Sequence, residues 1–327
     1  MGRIKTYDFD GEYVTWTTRW SYAGSIYYRN GKFSASSNCG ILKVLNKEIN
    51  PKFLAYALKK EAKKFVNTTS AIPILRTQKV VEIPIDFPPL QIQEKIATIL
   101  DTFTELSAEL SAELSAELRE RKKQYAFYRD YLLNLKNWKE ENKYYKLGEI
   151  AQKVLVGGEK PADFSKEKNE VYKYPILSNN SKAEEFLVYS KTFRVEEKSI
   201  TVSARGTIGA VFYRDFAYLP AVSLICFVPK EEFDIRFLFH ALRAIKFKKQ
   251  GSATGQLTVA QFKEYGIHVP SLKKQKEIAA ILDPLYSFFT DLNEGIPAEI
   301  ELRKKQLDYY QNFLFNWVQN QKAASIL

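Results

Sequence analysis

The sequence has few cysteines and no apolar run long enough to cross a membrane. Cys39 and Cys226 are its only cysteines among 327 residues, which agrees with a reducing compartment. Adding His240 and His268, its only histidines, does not make a four-ligand set for structural zinc. No charge-free apolar stretch of roughly eighteen residues is present, and the start lacks an apolar signal core. We therefore expect a cytoplasmic protein that does not enter a membrane.

Motifs of several enzyme classes are also absent. There is no Gly-x-Gly-x-x-Gly fingerprint, and "GGEK" at 157–160 lacks both the spacing and the Ser or Thr of a Walker loop. A methyltransferase loop of the Asn/Asp-Pro-Pro-Tyr/Phe type is missing too, since "DFPPL" ends in leucine. The sequence therefore predicts no catalytic, metal or cofactor site in this chain.

The net charge of +11 lies in two separate blocks. Residues 1–88 carry 14 Lys+Arg against 7 Asp+Glu, and residues 144–270 carry 19 against 14. The stretches between and after these blocks are close to neutral. Two basic blocks indicate two modules that face a polyanion. A lysine-rich surface that serves only solubility is the alternative.

The chain contains an internal duplication. "PPLQIQEKIATILD" (88–101) aligns with "PSLKKQKEIAAILD" (270–283), and "KKQYAFYRDYLL" (122–133) aligns with "KKQLDYYQNFLF" (304–315), both at an offset of 182. Farther back, "INPKFLAYAL" meets "FDIRFLFHAL" at an offset of 184, and "IYYR" meets "VFYR" at 185. The chain is therefore two tandem copies of a basic globular module followed by a long helix.

The second module predicts an α+β fold. Short β-type runs such as "KYPILS", "SITVSA" and "SLICFVP" precede a short helical pattern, which indicates a mainly antiparallel, curved sheet with short helices. Apolar residues at three- and four-residue steps then predict long helices from Leu90 to about Leu135 and from Leu272 to about Gln319, the second with a kink near Pro297. The predicted segments are a first domain over 1–88, a first long helix over 89–136, a second domain over 137–270 and a second long helix over 271–320.

The first long helix contains Ser-Ala-Glu-Leu three times in succession, at residues 107–118. These are strong helix formers, and each unit adds about 6 Å to a helix. Identical units indicate a spacer whose length matters, while filler helix made by replication slippage is the alternative. Apolar residues recur every four positions in both helices, and a stripe with this spacing winds around its helix, so the simplest partner for each long helix is the other one. The paired side chains are Leu106, Leu110, Leu114, Leu118, Phe288, Leu292, Ile296 and Ile300.

Nearly the whole chain resembles the specificity subunit of type I restriction–modification enzymes. The resemblance rests on "VSARGTIGAVFY" (202–213), the two helix entrances at 88–101 and 270–283, the tandem "SAEL" units and the two "RKKQ" helix ends. In one respect the chain departs from the family. About 45 residues at the start of the second module have no counterpart in the first, so we expect the first domain to be truncated.

The resemblance implies a non-catalytic subunit whose two target-recognition domains each read half of a split double-stranded DNA site. It also implies that the two long helices form an antiparallel coiled coil, on which two methyltransferase subunits dock, with restriction subunits joined through them. S-adenosylmethionine, ATP and Mg²⁺ would belong to those partners, with no cofactor in this chain. A stand-alone DNA-binding regulator and a coiled-coil structural or adaptor protein with basic domains are the alternatives.

Candidate DNA-contacting side chains are the arginines, lysines, amides, hydroxyls and tyrosines near predicted turns, because these groups bind phosphate or base edges. In the first module they are Thr18, Arg19, Tyr22, Ser25, Tyr28, Arg29, Asn30 and Lys32. In the second they are Asn179, Asn180, Ser181, Lys182, Ser203, Arg205, Thr207, Tyr213, Arg214, Lys249, Gln250, Ser252, Thr254 and Gln256. Plain turn chemistry, strand packing and mobile connectors are the alternatives for these residues.

Overall fold

The computed structural model describes residues 6–69, 71–134, 142–179, 188–248, 255–291 and 295–324. The chain forms two compact units: unit 1 is Met1–Ala116 with Ala298–Leu327, and unit 2 is Glu117–Pro297. These units do not follow the predicted linear succession of domain, helix, domain and helix. The first long helix divides between them, and most of the last helix belongs to unit 1.

Unit 1 has an antiparallel sheet in which β1 (Glu12–Thr17) lies between β2 (Ile26–Asn30) and β3 (Cys39–Leu42). Successive side chains of a strand point to opposite faces, and Trp16 of β1 points to the buried inner face. Its indole fills the space above Gly40, where an added Cβ would come within 2.1 Å of the ring. The glycine is therefore required for this close approach.

Three helices follow the sheet: α1 (Pro51–Glu61), the short α2 (Thr77–Val81) and the long α3 (Leu90–Leu133). Asn50 caps α1, since its side chain accepts a hydrogen bond from Phe53 N at 3.0 Å. Helix α3 begins in unit 1 and ends in unit 2, so the predicted first long helix is present and continuous through the Ser-Ala-Glu-Leu units.

The strands of unit 2 are β4 (Asn142–Lys146), β5 (Ala151–Val156), β6 (Tyr174–Leu177), β7 (Tyr189–Ser190), β8 (Ser199–Ser203), β9 (Val211–Arg214), β10 (Leu219–Pro220), β11 (Leu224–Pro229) and β12 (Gly266–Pro270). The largest sheet has the order β5-β11-β8-β9, with antiparallel neighbours throughout. A second sheet has the order β10-β6-β7, and β12 pairs with β4. One parallel pair, β10 with β6, accompanies the antiparallel ones. The predicted, mainly antiparallel α+β fold is confirmed.

The helices of unit 2 are α4 (Leu147–Ile150), α5 (Ile235–Ala244), α6 (Val259–Glu264) and α7 (Leu272–Thr290), and they precede the last helix, α8 (Ile296–Ala324). The second long segment is therefore two helices, which corrects the prediction of one helix over 271–320. Pro297 is the second residue of α8, where a missing N–H leaves no helical hydrogen bond unmade. It begins a helix and does not kink one.

Each unit receives the end of a long helix from the other copy of the repeat. In unit 1, Phe315 and Val318 of α8 share a buried cluster with Phe53 of α1 and Leu100 of α3. In unit 2, Tyr125 and Leu132 of α3 share the main buried cluster with residues of α5 and α7. Within each unit the returning helix thus completes the core.

The eight predicted coiled-coil side chains differ in burial. Ile296 is buried, and four others are half-buried: Leu110, Leu114, Leu118 and Ile300. Leu106 is 56% exposed, and Phe288 is exposed with its ring centre 5.0 Å from the Arg121 guanidinium. Leu292 lies outside the described residues. A four-residue step drifts about 40° per unit against 3.6 residues per turn. The leucine stripe therefore winds around α3, and its members cannot all face one partner.

A buried glutamine begins the long helix in each copy. Gln93 Oε1 accepts from Asn50 N at 2.9 Å, and its Nε2 donates to Pro88 O at 2.7 Å. Gln275 repeats this arrangement with Asp234 N at 2.8 Å and Pro270 O at 2.9 Å. Asn50 and Asp234 are also the caps of α1 and α5, so one amide joins the helix entrance to the preceding helix in both units.

A half-buried aspartate follows the glutamine by eight residues in each copy. In unit 1, Asp101 accepts from Lys52 Nζ at 2.5 Å and from the Tyr56 hydroxyl at 2.8 Å. In unit 2, Asp283 pairs with Arg236 at 2.7 Å and with His240 Nε2 at 2.7 Å. The second partner of the aspartate is thus a half-buried tyrosine in one copy and a buried histidine in the other.

The environment of His240 opposes its protonation. Burial holds the pKa of His240 below its ordinary value, although the hydrogen bond and charge of Asp283 act in the opposite direction. Arg236 and Arg243 also disfavour a positive charge there, while the Tyr125 hydroxyl lies 2.7 Å from Nδ1. Burial would raise the pKa of Asp283, but hydrogen bonds from His240 and Arg236 outweigh it and hold that pKa low.

These shifts predict a pH dependence of stability in unit 2. A histidine whose pKa is lower folded than unfolded takes up protons on unfolding, so the folded state loses stability as pH falls through the unfolded value near 6.5. We expect the unfolding midpoint of the chain to fall between pH 7 and pH 5.5. In the His240→Tyr variant, which copies unit 1, this dependence should be much weaker, whereas His268→Gln should retain it. Equal slopes for the parent and His240→Tyr in thermal unfolding would contradict the assignment.

Candidate nucleic-acid interface

The hairpin of β1 and β2 ends in a loop that is tied to the body of unit 1. Thr17 N donates to Ser25 O at 3.0 Å, and Gly24 N donates to Thr17 O at 2.9 Å. Gly24 has a φ of +80°, which glycine adopts without strain. Leu75 N donates to Thr18 O at 2.8 Å, so a later segment holds the start of the loop.

The hairpin of β8 and β9 in unit 2 repeats this pattern bond for bond. Ser203 N donates to Ala210 O at 3.0 Å, and Gly209 N donates to Ser203 O at 2.9 Å. Gly209 has a φ of +82°, and Leu257 N donates to Ala204 O at 3.0 Å. The two hairpin loops are therefore equivalent elements of the two copies.

This equivalence places Arg19 and Arg205 at the same position of their loops. Arg19 follows Thr18, whose carbonyl accepts from Leu75 N, and Arg205 follows Ala204, whose carbonyl accepts from Leu257 N. Both arginines are exposed. The offset of 185 taken from "IYYR" and "VFYR" would set Arg205 against Trp20 instead. The loop of unit 1 is one residue longer, and this extra residue hid the correspondence.

The other predicted residues of the first loop differ in exposure. Tyr22 is 71% exposed at the loop tip, whereas Thr18 and Ser25 are half-buried and contribute backbone hydrogen bonds. Tyr22 is therefore the side chain of this group that is best placed to reach a ligand.

The predicted residues of β2 point to opposite faces of the sheet. Tyr28 packs against the core, its hydroxyl donates to Glu12, and burial raises its pKa, to which the Glu12 hydrogen bond adds. Arg29 points outward with its guanidinium 5.4 Å from the Tyr27 ring centre. Asn30, the last residue of β2, and Lys32, just beyond the strand, are both exposed. The outward face thus combines cations with aromatic rings.

Two exposed aromatic side chains of unit 1 were missed in the sequence. Trp20 is 56% exposed and has a φ of +72°, an uncommon conformation for a bulky residue. Tyr27 lies exposed on β2 beside Arg29. The alternation of side chains along "IYYR" could have predicted that Tyr27 is exposed, because Ile26 and Tyr28 lie on the inner face of the sheet. No sequence signal marks the backbone conformation of Trp20.

In unit 2 the structure brings together two predicted residues that are 51 positions apart. Arg205 Nε donates to Gln256 Oε1 at 2.7 Å, and Thr207 lies exposed in the same loop. The pair restrains the guanidinium before any ligand arrives.

Asn179 was predicted to contact DNA, but both ends of its side-chain amide bond to backbone groups of unit 2. Its Nδ2 donates to Val222 O at 2.5 Å, and its Oδ1 accepts from Ala204 N at 3.0 Å. Both ends of the amide therefore join loops of this unit to each other. Val222, which the sequence did not single out, is exposed and has a φ of +46°.

Two predicted contact residues are buried and a third is half-buried, which corrects the sequence analysis for the buried pair. Ser203 is fully buried in β8, and Arg214 is buried in β9 with Nε donating to Thr201 Oγ1 at 3.3 Å. Tyr213 packs beneath the Arg236 guanidinium at 4.4 Å. They belong to the strands of the hairpin, whose two faces are both covered, and only the loop between them reaches the surface.

Seven further predicted contact residues lie outside the described residues: Asn180, Ser181, Lys182, Lys249, Gln250, Ser252 and Thr254.

Chemistry of other kinds has little support in the part of the chain that the structure describes. Within it, no three His, Cys, Asp or Glu side chains lie close enough to hold a metal ion. Cys226 is buried, and this burial raises the pKa of its thiol to about 12, which makes it a poor nucleophile. None of the described helices is long and apolar enough to cross a membrane.

A second exposed surface lies on α3 in unit 2, and we call it the α3 patch: Phe127, Tyr128 and Tyr131. The rings of Phe127 and Tyr131 stack at 6.3 Å, and Tyr128 meets Phe127 edge-on at 5.5 Å. All three are exposed. One to two turns earlier, Arg121 donates to Glu117 at 3.2 Å.

The same surface recurs on α8 in unit 1, and we call it the α8 patch: Tyr309, Tyr310 and Phe313. The rings of Tyr309 and Phe313 stack at 6.3 Å, Tyr310 meets Tyr309 edge-on at 5.5 Å, and Arg303 donates to Glu299 at 2.8 Å. Exposed aromatic clusters are typical of contact surfaces. One such cluster is present in each copy with the same internal geometry. In the α8 patch Tyr309 and Phe313 are exposed, whereas Tyr310 is half-buried because it stacks on Phe103 at 5.0 Å.

Comparison with known proteins agrees with this duplicated architecture. The family model for the type I restriction modification DNA specificity domain matches the chain over residues 1–120 and 139–302. Two stretches are matched, as expected for two copies of a module.

Curated relatives carry matching names. A type I specificity subunit of Mycoplasma pneumoniae, S.MpnORF89P, is 98% identical over 335 residues, covering 100% of both chains. Another from the same organism, S.MpnORF507P, is 66% identical and covers 99% of this chain and 88% of its own. The specificity subunit of the type I restriction enzyme MpnII is 37% identical over 81% of this chain and 98% of its own.

Solved structures support the fold. A chain from a study of complex assembly and conformational transition of the type I R-M system has a TM-score of 0.62 at 15% identity, covering 93% of this chain and 81% of that one. The S subunit of Mycoplasma genitalium has a TM-score of 0.50 at 18% identity, covering 97% and 85%. The chain therefore belongs to the type I restriction–modification DNA specificity family, and it is a DNA sequence recognition subunit without catalytic activity of its own.

Proposed function

We propose that the chain reads a two-part DNA site, with the loop of Arg19 on one half and the loop of Arg205 on the other. The observation that carries this proposal is the repetition of one hairpin loop, with an exposed arginine at the same position, in both units. Arginine is suited to either role, since it bonds bidentately to guanine and also binds phosphate. The two basic blocks of the sequence supply the sequence-independent attraction.

The two halves of the site would differ. Arg205 is held by Gln256, whereas the position equivalent to Gln256 is Ile74, whose side chain cannot accept a hydrogen bond. The first loop instead offers Trp20 and Tyr22, which favour stacking or sugar contacts. Different chemistry at equivalent positions fits an asymmetric site.

Partners would dock on the two aromatic patches. The α3 patch and the α8 patch are copies of each other, so one kind of subunit could bind at both, which fits two methyltransferase subunits per chain. Restriction subunits would join through them. S-adenosylmethionine, ATP and Mg²⁺ would be bound by these partners. Two free cysteines and a DNA substrate favour the cytoplasm.

The Ser-Ala-Glu-Leu units would set the gap between the two half-sites. They lie inside α3, which is helical from Leu90 to Leu133 without a break.

Removing either arginine should affect one half-site only. We expect Arg205→Ala to weaken the preference for one base pair of its half-site by about 1–3 kcal/mol if the contact is bidentate, and to weaken all sequences alike if it holds a phosphate. Arg19→Ala should act in the same way on the other half-site. Selection from a randomised duplex library measures both.

The control is Arg119→Ala, which removes the same charge from an exposed site on α3 and should leave both half-site preferences intact. The proposal fails if Arg19→Ala and Arg205→Ala alter the same half-site, or if neither changes binding at all.

Deleting residues 111–114 should shorten the gap and leave both half-sites unchanged. One unit is about 6 Å of helix and a base pair along B-DNA takes about 3.4 Å, so we expect a change of about one to two base pairs. Methylation-site sequencing reads the gap directly. The matched variant Ser111→Ala keeps the length and should keep the gap. An unchanged gap in the deletion variant would show that the repeat is filler.

Changing one patch should remove one partner copy. We expect Phe127→Ser with Tyr131→Ser to lower the mass of the purified complex by one methyltransferase subunit, because aromatic anchors contribute about 2 kcal/mol or more each. Tyr309→Ser with Phe313→Ser should remove the other. Native mass spectrometry of co-expressed complexes measures this. Leu45→Ser, an exposed apolar residue elsewhere in unit 1, is the control. Complete complexes from both patch variants would exclude these surfaces.

A further inference from the structure

The turn between β10 and β11 holds two residues in a strained conformation. Val222 has a φ of +46° and Ser223 has a φ of +58°. A β-branched residue rarely adopts positive φ, and such outliers persist only where surrounding structure enforces them, often at functional sites. Glycine would relieve the strain at both positions. The valine is therefore kept at a position where it costs stability.

Backbone hydrogen bonds from the neighbouring loop enforce this conformation. Val222 N donates to Gly158 O at 2.7 Å, and Ser223 N donates to Gly157 O at 3.3 Å. The turn is thus a rigid support, and the Val222 side chain, 46% exposed, projects from it. Rigid presentation of an apolar group to solvent has no evident benefit for the fold.

Asn179 joins this turn to the arginine loop. The Nδ2 group donates to Val222 O, and Oδ1 accepts from Ala204 N, the residue before Arg205. Leu257 N in turn donates to Ala204 O, next to Gln256. One amide therefore spans the two loops, and no ligand is needed to bring them together.

We propose that Val222 is a further specificity-determining residue of unit 2, which makes apolar contact with the methyl group of a thymine, and that Asn179 positions it beside Arg205. This inference rests on the proposed reading of one half-site by the Arg205 loop. The chemistry fits because the thymine methyl is the apolar group that a base pair presents in the major groove. A cation and an apolar contact on two loops that are joined by Asn179 can discriminate separate base pairs of one half-site.

The test is Val222→Gly in the full chain co-expressed with methyltransferase subunits, followed by selection from a randomised duplex library. Glycine accepts the positive φ, so the unfolding midpoint should stay the same or rise. The preference for thymine at one position of the second half-site should fall about fivefold or more, the low end for one base pair. Other positions should keep their preferences.

The matched control is Ser223→Gly, which relieves the same kind of strain without removing an apolar side chain. It should leave the base preferences unchanged. Should Val222→Gly fail to fold, Val222→Asn serves in its place, since asparagine also tolerates positive φ and has no methyl group.

Asn179 is tested by two variants. Asn179→Ala should weaken the preferences at both the Val222 and the Arg205 positions. Asn179→Asp keeps the acceptor for Ala204 N and loses the donor for Val222 O, so it should weaken mainly the Val222 position. Any uniform repulsion of DNA by the new charge cancels, because preferences are ratios between sequences.

Two results would overturn the inference, and they differ from failure of the proposed function. An unchanged library profile for Val222→Gly would show that the turn is architecture alone. A loss of preference in Ser223→Gly equal to that in Val222→Gly would show that turn conformation, not the methyl contact, matters. Failure of the proposed function would instead appear as an Arg205→Ala chain that binds DNA as the parent does, with neither its affinity nor its library profile changed.

Discussion

The buried glutamine at the start of each long helix is the contact on which the rest of the architecture depends. Gln93 and Gln275 each hold the cap of the preceding helix and the carbonyl of a proline at the helix entrance. A buried amide left without partners costs about 1–3 kcal/mol, so these bonds fix the start of α3 against α1 and the start of α7 against α5. Because both copies use the same bonds, both helices begin in the same way. The aspartates that follow, Asp101 and Asp283, then bind α1 and α5 to the same helices.

Within each unit, the core is finished by a helix from the other copy of the repeat. Phe315 of α8 packs on Phe53 in unit 1, and Tyr125 of α3 packs near His240 in unit 2. A module cut from the chain at its sequence boundaries would expose these apolar surfaces to water. The stability of each recognition domain therefore depends on the helix of its counterpart.

Much of this could be predicted from the sequence, because a duplication supplies two independent views of one fold. The pattern at 88–101 and 270–283 contains both glutamines and both aspartates, and helix formers predicted α3. The residues of the candidate nucleic-acid interface were harder to predict. Ser203 and Arg214 are polar and lie near a turn, yet strand β8 is covered on both faces, which periodicity alone does not reveal. One extra residue in the first loop hid the match of Arg19 with Arg205. Backbone strain at Trp20 and Val222 depends on tertiary hydrogen bonds and leaves no mark in the sequence.

The two copies have kept most of their supporting contacts and diverged in the segment beside the arginine loop. The glutamines, the aspartates and the hairpin glycines Gly24 and Gly209 are the same in both, whereas Ile74 stands where the other copy has Gln256. One position of the core also differs, since His240 is buried where the other copy has the half-buried Tyr56. A loop side chain at the rim contributes little to the core, so its replacement costs little stability and changes what is read. The helix offers a second independent variable, since identical four-residue units change its length without changing the chemistry of any contact. On the proposed function, the DNA sequence that the loops read and the distance between the two half-sites can therefore change separately on one scaffold.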